Sequence, residues 1–263
     1  MLLRQAESGI IAIPQPNHAW LSGQLCRAWG NACFAAPTPR EDVCLAAGLH
    51  DIGWLQWEAA PSFDLQTGLP REFLKVPPPV HTGIWRDGVK WAHAYGRVVA
   101  LHVSLHADTL YSRFFDFNRA TPEDARLVRD FLDEQHGVRA EIIASLRSDP
   151  ESAADASDQN IECNRLLIAA FDWMSLKICW GIKEETLIPD VPVSADERTK
   201  LVLHPRNSEG RKLTVDPWPF TTDEVEVKAE GKLLRGRFSD ANEMRQALAE
   251  AETVVVKAKL RPV

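Results

Sequence analysis

The sequence predicts a mainly α-helical body over residues 1–188, carrying a small antiparallel β-rich extension with one helix over residues 189–263. Three observations support that division. Up to Pro189, apolar residues recur at helical spacing behind proline-marked helix starts. Beyond Pro189 the texture alternates with period two, as half-buried strands do. A chain of 263 residues, 45% hydrophobic and 25% charged, is also long enough to bury a full core without disulfides or a structural metal.

The first helix is expected to open near Asn17, behind Pro14 and Pro16, and to stop at Gly30. The second starts with Thr38 as N-cap, Pro39 at the first helical position and Glu41 closing a capping box; it ends near Gly53. Residues 58–80 are too rich in proline for a helix and too long for an idle loop. That segment reads as a lid, with Phe63 or Phe73 carried toward a site entrance. Helical spacing resumes over Thr82–Trp91. It continues in GRVVALHVSLHADTLYSRFF, where Val99, His102, Val103, His106 and Leu110 share one face. Thr121 and Pro122 open another helix reaching Arg147, bent at Gly137. The most apolar helix, NIECNRLLIAAFDWMSLKICW, ends at Gly181. After Pro189, TKLVLHP, RKLTVDPWPF, EVEVKAEGKLLRGRF and TVVVKAKL read as strands, and Asp240 with Glu243 starts a helix over Ala241–Glu250.

The formal net charge of −7 repels nucleic acid and anionic membranes, so the expected partner is a small-molecule substrate, with no nucleic acid and no membrane. No stretch approaches the length of a membrane-spanning apolar run, and MLLRQAESGI does not read as a secretory leader. Five cysteines without a CxxC pair favour a reducing, cytoplasmic setting. Nine tryptophans supply core, and some of them could wall a pocket.

The residues that point to chemistry are histidines and aspartates on separate helices. His50 and Asp51 are adjacent in LHDIGW, and imidazole nitrogen and carboxylate oxygen can hold one ion together. Asp172 sits in the most apolar helix, beside Phe171 and Trp173, where a carboxylate is costly unless paired or bound to a cation. A metal would account for Asp172, His50, Asp51 and His18 at once.

The order His18, His50–Asp51, Asp172 resembles the HD-domain superfamily of metal-dependent phosphohydrolases. The flanking words QPNHAWLSGQLCRAWGN, LAAGLHDIGWLQWE, VSLHADTLY and FDWMSLKICWG, together with DPWPF, look like an uncharacterised bacterial HD-like family. The resemblance implies an HD-type helical bundle, with His18, His50, Asp51 and Asp172 holding a first divalent ion. It also implies a second ion held by two intervening histidines, for which His81 and His106 are the candidates, with Asp51 bridging. His102 lies one turn before His106 on the same face, so either could reach the site. Gln15 and Ser175 share helix faces with ligands and could touch a water or a phosphate oxygen, or serve only in capping. Trp54, Trp57 and Trp85 could wall the pocket, with core packing the default for each, and Arg86 is the nearest cation for a phosphate.

Histidine and carboxylate donors without cysteine suit Mn, Fe, Co or Ni. The expectation is a metal-dependent phosphohydrolase acting on a small phosphorylated metabolite or nucleotide, with two divalent ions and Asp51 at the reacting centre. Two other readings stay open: an HD-type di-iron oxygenase acting on a small molecule, and a non-catalytic metal-binding sensory module.

Overall fold

The computed structural model describes all 263 residues and overturns the mainly helical prediction. Residues are 49% helical and 21% in strands, and the strands form one seven-stranded curled sheet, a half-barrel; the fold is α/β. The sheet is not a small C-terminal extension, because both ends of the chain build it. It begins with a hairpin, β1 (Leu2–Ala6) and β2 (Gly9–Ile13), in a stretch where the sequence predicts no strand.

The helical part follows. α1 (Gln15–Ala28) carries Pro16 in its first turn, and Gly30 beyond its end takes the positive φ of a helix stop. α2 spans Arg40–Leu49 with Pro39, not Thr38, at the N-cap and no side-chain cap. The carbonyl of Thr38 is instead taken by Asn160 and Asn164 of a later helix. A short α3 (Trp54–Ala59) leads into the proline-rich segment. That segment is fastened rather than loose: β3 (Phe63–Asp64) pairs with β4 (Leu69–Pro70), and Phe73 donates its backbone N–H to the Met1 carbonyl.

α4 (Pro78–Ala92) starts within the proline run, since proline is tolerated where the first-turn N–H groups have no partner, so His81 falls in its first turn. α5 (Arg97–Phe114), α6 (Pro122–Arg147) and α7 (Asp158–Trp180) complete the helical layer. α6 runs unbroken past Gly137, and Gly181 stops α7.

Strands β5 (Thr186–Pro192), β6 (Arg198–Pro205), β7 (Lys212–Asp216) and β8 (Val225–Leu234) follow, then α8 (Ala241–Glu250) and β9 (Thr253–Pro262). The Asp240 carboxylate caps α8 by accepting from the N–H groups of Asn242 and Glu243, as its sequence predicts. The sheet order is β1-β2-β8-β9-β7-β6-β5, with β7 and β9 parallel and every other pair antiparallel. Along β8 buried and exposed residues alternate, which the period-two pattern demanded. β2 finds β8 more than 200 residues away, a pairing that no local pattern encodes.

This sheet steadies the helices that matter. α1 packs on β8, and α7 packs on β5 and β1. The Arg4 guanidinium of β1 donates to the Ile178 and Cys179 carbonyls at the end of α7, where the last carbonyls have no helical partner. At the end of α1, Gly30 and Thr221 bond across to Pro219 and Ala28. One apolar core of 50 residues runs from Leu2 to Leu260 through both layers. No helix is long and apolar enough to cross a membrane.

Candidate metal centre

Two close backbone approaches bring the histidines together. A Cβ on Gly23 of α1 would lie 2.9 Å from the Gly48 Cα of α2, so α1 and α2 cross closely enough to set His18 beside His50. Their rings stand 5.1 Å apart, edge to face. A Cβ on Gly53 would fall 2.0 Å from the Ile84 carbonyl oxygen, so the turn after α2 lies directly on α4 and Asp51 is fixed at its bend. α5 then supplies His106, its ring 4.5 Å from that of His50, and α7 supplies Asp172.

Hydrogen bonds assign the nitrogens. His50 at Nδ1 donates to the Ala47 carbonyl at 2.8 Å, which leaves Nε2 to face the centre. That atom is buried and has no hydrogen-bond partner. Ser175 spends its hydroxyl proton on the Asp172 carbonyl at 2.8 Å, so it must accept from His18 Nδ1 at 2.7 Å. The other His18 nitrogen, Nε2, then meets Asp51 Oδ2 at 2.7 Å. An imidazole lone pair and a carboxylate oxygen that close require a cation between them, either a proton on Nε2 or a metal ion. Asp172 Oδ1 lies 3.4 Å from His50 Nε2 and 3.8 Å from His18 Nδ1, and its Oδ2 lies 3.7 Å from His106 Nε2.

The ligand atoms form two overlapping groups, His18–His50–Asp51 and His50–His106–Asp172, each within 4.8 Å. Both groups share His50, which has only one free nitrogen, so the five donors surround one region of the interior. The donor set fits a divalent ion: three imidazoles and two carboxylates, with the His50 ring oriented by the Ala47 carbonyl and the His18 ring by Ser175, while His50 Nε2 and His106 Nδ1 are buried without partners. Electrostatics agree. Burial opposes charge on His50, yet Asp51 and Asp172 raise it to about 9. Burial would likewise raise Asp172, but the His50 imidazole 3.4 Å away and the neighbouring imidazoles hold it at about 2. Asp51 is also held below the usual carboxylate range by His50 and His18, against its burial. Burial, with His50 close by, pushes His106 down to about 4, leaving a neutral imidazole.

The other expected residues divide. Gln15 Nε2 donates to Asp51 Oδ2 at 3.3 Å, and its buried Oε1 has no partner. Between His102 and His106, His106 reaches the centre. His102 is buried elsewhere with its Nδ1 unpartnered, and burial lowers it to about 4. His81 faces the cavity but joins neither group. Its Nε2 accepts from the Trp85 indole at 3.2 Å, and its Nδ1 meets the Tyr111 hydroxyl at 2.8 Å, so both nitrogens are engaged by protein. Arg86 does not reach the site. It pairs with Glu134 at 2.7 Å and covers Phe131.

Above the centre lies a cavity of about 530 Å³ with Gln15, His18, Asp51, His106 and Asp172 at its floor. Trp54 and Trp85 are buried in the core and also line it, whereas Trp57 only backs Trp54. Of the proline-rich segment, Phe73, Leu74 and Val76 overhang the cavity. Phe63 packs away from it, on the small core around Met1, Met244 and Leu248. Much of the wall goes beyond the sequence expectation: Phe114 on α5, Leu176 and Trp180 on α7, and Leu110, expected only to share a face with His106. Its signal was present, since these lie four and eight residues beyond His106 and Asp172, on the same helical faces. No Lys or Arg lines this cavity.

A family described as "Protein of unknown function (DUF3891)" matches residues 1–236, from β1 through β8. No curated protein and no solved structure matches the chain.

Proposed function

The chain belongs to the DUF3891 family, and we propose that it is a metal-dependent hydrolase of a small molecule, built on one His/Asp centre of HD type. One observation carries the reading: donors from α1, the turn after α2, α5 and α7 cluster beneath a cavity lined by His18, Asp51, His106 and Asp172, with His50 Nε2 buried among them and unpartnered. His18, His50, Asp51 and Asp172, with His106 completing the set, would hold a divalent ion such as Mn, Fe, Co or Ni. When bound, such an ion supplies Lewis acidity and a water activated at neutral pH.

The chain's own groups do the rest. Ser175 keeps His18 in the tautomer with Nε2 free. Gln15 Nε2 fixes the Asp51 carboxylate, and the unpartnered Gln15 Oε1 is placed to accept a proton-bearing water or substrate hydroxyl. The aromatic walls exclude bulk water and hold the body of the substrate. Phosphate monoesters are the first class to test, by the resemblance of the His18, His50–Asp51, Asp172 order to phosphohydrolases.

A second reading draws on the wall itself. Twelve of the nineteen cavity residues are hydrophobic, which also suits an iron-dependent oxidation of an apolar molecule. The deciding experiment is metal analysis of protein purified without chelator, followed by a panel of phosphate and carboxylate esters, with and without O₂. Metal bound at His50, with ester turnover independent of O₂, supports hydrolysis. O₂ consumption with iron alone supports oxidation, and protein that binds no metal defeats both.

A further inference from the structure

A second cavity adjoins the first and also reaches His106 and Asp172. It occupies about 420 Å³ beside α5, α7 and β5, and shares His106, Leu110, Phe114, Asp172 and Trp173 with the first. Apart from His106, its one basic lining residue is Arg113. Arg113 stands seven residues after His106 on α5, on the same face and about 10 Å further along the helix axis.

Arg113 is loosely held. By contrast Arg165 of α7 spends its guanidinium on both Glu162 oxygens at 2.7 Å and on Thr109 Oγ1 at 2.9 Å. Arg113 makes no hydrogen bond; its one ion pair is to the exposed Asp190, Nη2 to Oδ2 at 3.5 Å, too long for a good hydrogen bond. Asp190 lines the same cavity from a bulge in β5, where the register with β6 shifts between Ile188 and Val191. It is the one non-glycine residue with positive φ, at 56°, a conformation Asp tolerates better than most. Bulges of this kind re-aim a side chain, and here the side chain is aimed across the cavity mouth.

We propose that the second cavity binds an oxyanion group of the substrate, a carboxylate or a phosphate, through the Arg113 guanidinium, and that Asp190 is the internal anion it displaces. An anion entering a chain of net charge −7, beside the Asp172 carboxylate, needs a local cation, and a guanidinium fork suits either oxyanion. The substrate is then elongated, with an apolar body under Trp85 and Phe73, a reacting bond at the centre and an anionic end about 10 Å away. The reacting bond rests on the hydrolase reading; anion binding at Arg113 does not.

The test uses full-length protein, both Mn²⁺-loaded and chelator-stripped, titrated calorimetrically with 6-phenylhexanoate, 6-phenylhexyl phosphate and 6-phenylhexan-1-ol. In wild type at least one anion should bind about tenfold more tightly than the alcohol, and the better of the two identifies the oxyanion. Arg113→Ala should remove that preference while leaving alcohol affinity and metal content unchanged. Arg113→Lys should restore part of it, and Asp190→Asn should strengthen both anions a few-fold. Equal binding of anions and alcohol by wild type, or a preference surviving Arg113→Ala, overturns the proposal. If Arg113→Ala unfolds, the Asp190→Asn titration decides alone: anion affinity that fails to rise counts against displacement. Wild type that binds no Mn²⁺ defeats the hydrolase reading, and the stripped-protein titration still reads Arg113.

Discussion

Raising the pH of the metal-stripped protein tests the centre without knowledge of the substrate. His50 is held at about 9 in the folded chain, against 6.5 as its ordinary value, because Asp51 and Asp172 outweigh the cost of burial. A group raised on folding contributes stability that is fully present below its unfolded value and lost as pH climbs through the folded one. The interval from 6.5 to about 9 corresponds to about 3 kcal/mol. For a chain of this size that is about 6–12 °C in melting temperature. Thermal unfolding of chelator-treated protein, followed from pH 6.5 to 9, should show that decline, and His50→Asn should flatten it. Metal acts with the opposite sign, since an ion needs the neutral imidazole and competes with its proton. The gap between metal-loaded and stripped melting temperatures should therefore widen across the same window. A wild-type curve that is flat between pH 6.5 and 9, or an undiminished slope in His50→Asn, would refute the ion-pair description of this centre.

Metal content should track the five donors. His18→Ala, His50→Ala and Asp172→Asn should lower bound Mn²⁺ from about one per chain toward zero by mass spectrometry. His81→Ala should leave it nearly unchanged, because the His81 nitrogens are engaged by Trp85 and Tyr111; a drop there would restore a second ion. Phe73→Ala should raise KM for whichever ester is turned over, while Phe63→Ala should lower the melting temperature without touching KM, because only Phe73 overhangs the cavity. Gly53→Ala should destabilise by about 1–3 kcal/mol in urea unfolding and weaken metal binding, since its Cβ would fall 2.0 Å from the Ile84 oxygen and must move the Asp51 turn. Wild-type stability and metal affinity in that variant would refute the close packing of α3 on α4.

Much of the centre was legible because its signals are local or chemically costly. His50–Asp51 reads as adjacent donors, and Asp172 stands out as a carboxylate among Phe171, Trp173 and Met174. Helix positions followed from proline starts, the Gly30 and Gly181 stops and the Asp240 cap, each decided within a turn of chain. The fold class failed for the complementary reason. β1 and β2 are five residues each, and their place in the sheet depends on β8, at the far end of the sequence. Seven strands could not be counted from the four alternating runs after Pro189.

By itself, then, the sequence determined that most of these helices exist and roughly where they run, and which residue types could hold an ion. Only the tertiary structure decided between His102 and His106. Both lie on one face of α5, and the crossing with α2 and α7 brings one of them within reach of Asp172. It also turned His81 onto Trp85, drew Arg86 to Glu134 and set Arg113 against Asp190 over a second cavity. A side chain's partner is chosen by elements that arrive from distant parts of the chain. Periodicity and caps record only the neighbours within one or two turns.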